Sequence, residues 1–272
     1  MCGIFGTINY RISEEKALDC LNRMIHRGPD GYGIWQEDGV TLGHRRLSIL
    51  DLSENGRQPM SYADGRYEIT FNGEVYNFIE IRRELMSKGY TFKSDTDTEV
   101  IIAAFIEWGE KCLDMFNGMW TFAIWDRLEK KMFISRDRFG IKPLYIANQG
   151  GRIAFASEMK AIMPLLDKTD INRSLIERYL KNPHYEMQDE CLVEEIKRFP
   201  AGFCAWIDAS GNIEMKRWWN TLDHIVDVPA AYEEQVEKFR ELFLDSCRIR
   251  MRSDVTLGTA LSGGLDSSAT IC

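Results

Sequence analysis

The residue with the most direct chemistry is Cys2, in the opening run Met1-Cys2-Gly3-Ile4-Phe5-Gly6. Its small side chain suits it to exposure by removal of the initiator Met1. A terminal cysteine then carries a thiol and a free α-amine on one residue. The thiolate is the useful nucleophile, so a base must take the thiol proton. An α-amine titrates at roughly pH 8 and can be that base, directly or through one water, with no histidine recruited.

A second chemical stretch lies near the other end. The apolar run Val255 to Leu261 reads as a short buried parallel strand. It leads into Ser262-Gly263-Gly264-Leu265-Asp266-Ser267-Ser268 and then into small residues able to open a helix. Strand, glycine-rich turn and helix start together present backbone amides and a helix dipole to a phosphate. The turn lacks the lysine of the G-x-x-x-x-G-K-[ST] loop.

Composition narrows the classes. Of the 272 residues, 44% are hydrophobic and 28% charged, as in a soluble globular protein with a sizeable core. The net charge of −8 argues against a nucleic acid or an anionic membrane as main partner. Seven cysteines with no C-x-x-C pair indicate free thiols in a reducing, cytoplasmic setting, without a disulfide framework. His26, His44, His184 and His224 are scattered without metal-ligand spacing, so no metal ligand is assigned. No signal peptide and no stretch of transmembrane length is evident.

The elements that must position Cys2 are mostly short. Met1–Tyr10 alternates as a strand. Glu14–Ile25 has Ala17, Leu18, Leu21, Met24 and Ile25 at helical spacing. His26-Arg27-Gly28-Pro29-Asp30-Gly31 is a loop dense in turn formers. Short β segments are expected at Gly33–Trp35, Val40–Gly43, Arg46–Leu50 and Tyr67–Phe71, the last running into Asn72-Gly73-Glu74. Phe78–Lys88 reads as a helix, and Thr96-x-x-Glu99 is a capping box before Val100–Trp108. Thr121–Asp126 with Met132–Arg136, and Leu144–Ala147 with Arg152–Ala156, suggest two hairpins. Asn172–Leu180 reads as a short helix, and Phe203–Ile207 with Ile213–Arg217 as another strand pair. The class is α+β, two antiparallel sheets with helices. Asn220–Ala230 is polar and proline-bearing, a linker, and Tyr232–Arg252 is an amphipathic helix with Val236, Phe239, Phe243 and Cys247 on one face.

Six runs in order resemble one family. They are Met1 to Gly6, His26 to Gly31, Asn72-Gly73-Glu74-Val75-Tyr76-Asn77, Arg136-Asp137-Arg138-Phe139-Gly140-Ile141-Lys142-Pro143-Leu144-Tyr145, Ala156-Ser157-Glu158-Met159-Lys160-Ala161 and Ser262 to Ser267. Together they resemble the glutamine-dependent asparagine synthetases. The resemblance implies an αββα amino-terminal-nucleophile sandwich over 1–219, a linker at 220–230, and over 231–272 the start of an α/β synthetase domain. The segment after Ala230 is far shorter than the roughly 100–150 residues of an independent nucleotide-binding domain, so a truncated synthetase domain is expected.

The resemblance also implies roles. Cys2 attacks the glutamine carboxamide, forms a glutamyl thioester and releases ammonia. The Asn72 side chain and the Gly73 amide hold the oxyanion, although Asn-Gly alone is also a hairpin-turn signature. Arg46 takes the substrate α-carboxylate, with Arg45 beside it a solvated charge. Glu74 and Asp97 take the α-ammonium, and Asp97 also suits a helix start. His26 builds the loop. Leu261, Ser262, Gly263, Gly264, Asp266, Ser267 and Ser268 match the nucleotide-binding loop. ATP and Mg2+ are implied cofactors of the longer enzyme, with none needed by the glutaminase half. Glutamine, ATP and aspartate are the implied substrates, and a homodimer is a candidate assembly. Alternatives are an amidotransferase with another acyl acceptor, or a stand-alone glutaminase.

Overall fold

Alternating apolar residues fold the chain into two six-stranded antiparallel sheets, described in a computed structural model for residues 1–182 and 189–272. His184 lies outside the described residues. The strands are β1 (Gly3–Ile8), β2 (Gly31–Glu37), β3 (Val40–Arg46), β4 (Met60–Tyr62), β5 (Tyr67–Val75), β6 (Gly118–Asp126), β7 (Lys131–Arg136), β8 (Tyr145–Gln149), β9 (Arg152–Ala156), β10 (Ile196–Arg198), β11 (Phe203–Asp208) and β12 (Ile213–Arg217). One sheet runs β10-β8-β9-β1-β3-β2 and the other β12-β11-β7-β6-β5-β4. The helices are α1 (Glu14–Asn22), α2 (Phe78–Ser87), α3 (Asp97–Trp108), α4 (Cys112–Met115), α5 (Met159–Ile162), α6 (Arg173–Lys181), α7 (Tyr232–Arg250) and α8 (Leu265–Ile271).

Each sheet is covered on both faces, so its central strands are apolar on both sides. Between the sheets, Ile4 and Ile8 of β1 and Leu42 of β3 pack with Trp125, Ile134 and Ile207. The opposite face of β1 offers Phe5 to Ala17, Cys20 and Leu21 of α1. On the far side, Phe71, Phe122 and Phe133 meet α2 and α3 through Ile81, Leu85, Ile101 and Phe105. Full burial of one such side chain contributes about 1.5–3 kcal/mol. The four layers are the αββα sandwich that the family resemblance implies.

Most expected elements form, and α3 begins at its capping residue: Thr96 Oγ1 accepts from Glu99 N at 3.3 Å. The reciprocal half differs, because the Glu99 carboxylate reaches back to the Lys93 and Ser94 amides at 2.9 and 2.7 Å. Three expectations are corrected. Arg46–Leu50 is not a strand: β3 ends at Arg46, whose guanidinium turns to the carbonyls of Leu50, Asp51 and Ser53. Val255–Leu261 is irregular and largely exposed, because among the described residues no strand lies beside it to pair. The long amphipathic helix stops at Arg250, two residues early. Much of its apolar face is uncovered, Phe239 being 70% exposed. The short β4, β10, α4 and α5 were not expected, since three or four residues hold too little periodicity to read.

Candidate active site

Cys2 precedes β1, a central strand, and is held from both sides. Its sulfur accepts from Leu47 N at 3.3 Å, and its carbonyl accepts from Arg27 Nε at 2.8 Å. The turn-rich loop at 26–31 builds this seat. A Cβ on Gly28 would lie 2.4 Å from the Arg45 backbone, so only glycine lets the loop pack on β3. Asp30 then accepts from Ser48 N at 2.8 Å and donates its own amide to Arg46 O at 3.0 Å, which fixes the stretch that meets the sulfur. Burial raises the Cys2 thiol above its ordinary value, with Lys142 among the groups opposing. The resting group is therefore the thiol, and attack requires a base.

Asn72 and Gly73 lie in the middle of β5, paired with Thr121 and Trp120 of β6, and not in a hairpin turn. A Cβ on Gly73 would stand 2.2 Å from Met119 O, so the close approach of the two strands demands glycine. Asn72 is buried, and its Nδ2 has no hydrogen-bond partner. A buried amide donor normally finds an acceptor. Asn72 lines a cavity of about 130 Å3 that Cys2 also lines.

Arg46, Gly73, Glu74 and Asp97 border the same cavity. Arg46 is half-buried, and backbone carbonyls of the following loop hold its guanidinium. Even with every one of these bonds made, part of its five-donor fork is free for a ligand. Asp97, the first residue of α3, accepts from Val75 N at 2.9 Å. Its pKa is raised to about 7, by burial first and then by Glu74. Glu74 is itself raised by burial, opposed by Lys142. A buried carboxyl group, Asp97, beside a half-buried one, Glu74, both with raised pKa values, makes a site that a cation would relieve.

Asp97 also sets a stability trend. Its folded pKa exceeds the unfolded value, so the folded state holds the extra proton. Stability from this group is therefore greatest at low pH and is lost as pH rises from roughly 4 to about 7. Asp97→Asn is expected to stabilise the protein at pH 8 by on the order of 1–2 kcal/mol. The roughly 1.4 kcal/mol per pKa unit is partly offset by weakening of the charge-assisted bond from Val75. Urea unfolding at pH 5 and pH 8 checks this; an equal effect at both would contradict it.

Other residues join the cavity without having been singled out. Gln58 accepts from Phe71 N at 2.7 Å and donates to Thr98 Oγ1 at 3.1 Å, tying β5 to α3. His44 is fully buried and donates from Nε2 to Phe71 O at 3.0 Å. Burial pushes its pKa down to about 3, so it is neutral. Nothing in their sequence neighbourhoods marks either residue. Lys142 sits within the Arg136–Tyr145 run, which was the available signal. Asp137 accepts from the amides of Trp120, Phe139, Ile141 and Lys142 and so shapes the loop that delivers Lys142.

Arg45 is a correction. It is buried, not solvated, and donates to Leu21 O and Asn22 Oδ1 with its guanidinium 5.1 Å from the Tyr32 ring centroid. Neighbours along a strand face opposite ways, so Arg45 and Arg46 cannot share a site. His26 is exposed, pairs with Glu158 at 2.9 Å and lies outside the cavity lining. Leu261, Ser262, Gly263, Gly264, Asp266, Ser267 and Ser268 lie outside it too. The Ser262 and Ser267 hydroxyls are 3.0 Å apart, just before and within α8.

Residues 1–219 match the family described as Glutamine amidotransferase domain. The chain belongs to that family. Residues 238–272 match the family described as Asparagine synthase. The chain is 38% identical over 98% of its length to asparagine synthetase [glutamine-hydrolyzing] 1 of Bacillus subtilis, covering 43% of that protein. It is 34% identical over 98% of its length to asparagine synthetase B [glutamine-hydrolyzing] of Escherichia coli, covering 44% of it. The chain thus spans less than half the length of these relatives. Its fold is also similar to glutamine phosphoribosylpyrophosphate amidotransferase from B. subtilis, with a TM-score of 0.61 and 18% identity over 80% of this chain and 49% of that one. Among the described residues no helix is long and apolar enough to cross a membrane.

Proposed function

We propose that this amidotransferase domain hydrolyses glutamine through Cys2, and that it serves as the ammonia-supplying half of a glutamine-hydrolysing asparagine synthetase. The observation that carries this reading is that Asn72, whose Nδ2 has no hydrogen-bond partner, shares a cavity with Cys2. A donor left unpaired in the resting protein is available where negative charge develops during acyl transfer. The Cys2 sulfur adds to the carboxamide carbon while its α-amine, freed by loss of Met1, takes the thiol proton. Asn72 Nδ2 and the Gly73 amide hold the oxyanion. The carbon–nitrogen bond then breaks, the proton passes to the leaving nitrogen, and ammonia departs from a glutamyl thioester. Water adds to that thioester and releases glutamate, which restores the thiol. Arg46 pairs with the substrate α-carboxylate, and Glu74 and Asp97 with its α-ammonium.

The match over 238–272 supports the synthetase reading over a stand-alone glutaminase. The uncapped amides opening α8, with Ser262, Ser267 and Ser268, fit the phosphates of ATP. Leu261, Gly263, Gly264 and Asp266 complete that loop. ATP, when bound, activates the carboxylate that receives ammonia, and aspartate is the acceptor this reading names. One exposed aspartate, Asp266, does not make a magnesium site by itself, so no step is assigned to the metal. The reading takes residues 1–219 as the glutaminase domain, 220–230 as a linker and 231–272 as the opening of the synthetase domain, in a cytoplasmic protein able to pair as a homodimer.

Incubation with amide-labelled glutamine tests the first step. Glutamate and labelled ammonia are expected in equal amounts, with a thioester trappable by hydroxylamine in a single turnover. No glutamate above a protein-free blank would sink the proposal.

Two further outcomes are expected. Arg46→Ala should raise KM for glutamine with kcat little changed, since the α-carboxylate contact is similar in ground and transition states. Leaving one partner of such a charge pair unpaired costs roughly 2–5 kcal/mol. Half-exposure puts Arg46 at the lower end, about 2 kcal/mol or roughly thirtyfold in KM. An unchanged KM would mean that another group holds the carboxylate. The dependence of kcat/KM on pH should also show an acidic limb near the Asp97 pKa of about 7, because only its carboxylate pairs with an ammonium. A profile flat over about one pH unit either side of that value would remove Asp97 from that role.

A further inference from the structure

Two residues between α7 and the Ser262 loop fold back onto the glutamine site. Arg252 donates to both carboxylate oxygens of Glu80 on α2, at 2.7 and 2.6 Å, and to the carbonyl of Tyr76. Asp254 Oδ2 accepts from Asp51 N at 2.7 Å, and Asp254 N donates to Ile49 O at 3.0 Å. Arg252 thus grips the chain just after β5, which carries Asn72, Gly73 and Glu74. Asp254 grips the loop that carries Leu47 and holds Arg46.

Asp51 is the centre of that loop. Its carbonyl accepts from Arg46, its Oδ2 accepts from Asp95 N at 3.0 Å, and its Oδ1 accepts from Ser53 N at 3.1 Å. Its backbone has φ of 48°, in the left-handed region that an aspartate tolerates better than most residues, and the bonds around it hold it there. Asp254 adds two bonds to this loop, its carboxylate taking the Asp51 amide and its own amide the Ile49 carbonyl. Without them the Asp51 amide and the Ile49 carbonyl lose their partners, the loop relaxes, and the acceptors that orient Arg46 move with it.

We propose that Asp254 and Arg252 are positioning residues for glutamine: from beyond the amidotransferase domain they clamp the 47–57 loop and the end of β5 about the Cys2 cavity. This rests on the glutaminase reading given above. The clamp sets how well glutamine is held and leaves the chemistry at Cys2 unaltered. A segment leading into the Ser262 loop therefore governs the glutamine KM.

The test uses the whole chain. Asp254→Ala should raise KM for glutamine by about tenfold, with kcat within about twofold, the split expected of lost uniform binding. Amides of residues 47–57 should exchange hydrogen faster, because their protection derives from local closure. Asp254→Asn retains an oxygen that can accept from Asp51 N, so its KM and exchange should stay close to wild type. Should Asp254→Ala fold poorly, Arg252→Gln carries the test with the same direction and a smaller rise. A KM within about twofold of wild type in Asp254→Ala and Arg252→Gln would overturn the proposal. So would unchanged exchange at 47–57, or an Asp254→Asn protein as impaired as Asp254→Ala. A wild-type chain without glutaminase activity would refute the underlying reading instead, and the exchange measurement would still decide the clamp.

Discussion

Cys2→Ala is expected to abolish glutamine hydrolysis, with a loss on the order of 10⁴–10⁶ in kcat, the scale seen when a catalytic nucleophile is deleted. The fold should survive. The Cys2 side chain replaces no core volume of the sheets, whose packing begins at Ile4 and Phe5. Its sulfur makes weak contacts with the Leu47 amide and carbonyl, at 3.3 and 3.6 Å. Losing weak sulfur bonds changes stability by about 1 kcal/mol or less. Glutamate release and a thermal melt on the same preparation separate the two effects. Wild-type glutaminase activity in the variant would overturn Cys2 as nucleophile. Intact mass adds a second reading: active protein should lack Met1, because a peptide-bonded amine cannot accept the thiol proton.

Asn72→Ala is expected to lower kcat by about 10²–10³, or roughly 2.7–4 kcal/mol, with KM changed little. Asn72 Nδ2 has no partner in the resting protein, so its removal leaves no donor or acceptor newly stranded. Its contribution would appear only when an oxyanion forms. Asn72→Asp should be as impaired, because it presents an acceptor where a donor is needed. Steady-state kinetics on both variants, with urea midpoints alongside, check this. A large fall in stability with near-normal kcat in the surviving fraction would make Asn72 a structural residue and not an oxyanion donor.

Much of the scaffold was legible before any coordinates. Helical spacing in 14–25 and 78–88 and the Thr96 cap located α1, α2 and α3, because amphipathic periods and caps are local properties. The ordered motifs from Cys2 to Ser267 pointed to the family. Local signals failed where a residue's state depends on a distant strand. Asn-Gly is a turn signature, yet β6 pairs with β5 straight through Asn72 and Gly73. An apolar run at 255–261 has the composition of a buried strand, but a strand needs a neighbour for its backbone bonds, and none lies beside it among the described residues.

Adjacent residues show the same division. Nothing in the sequence distinguishes Arg45 from Arg46 except their place in a motif. Strand pairing turns one under α1 and the other toward Cys2, since alternate residues of a strand face opposite sides. Asp97 was legible as a helix start, whereas its pKa of about 7 was not. That value comes from burial and from Glu74, which reaches it from another element. Sequence by itself determined which chemical groups this protein has and which local elements carry them. Only the tertiary structure decided which groups share the cavity, because pairing register and burial depend on residues far apart in the chain.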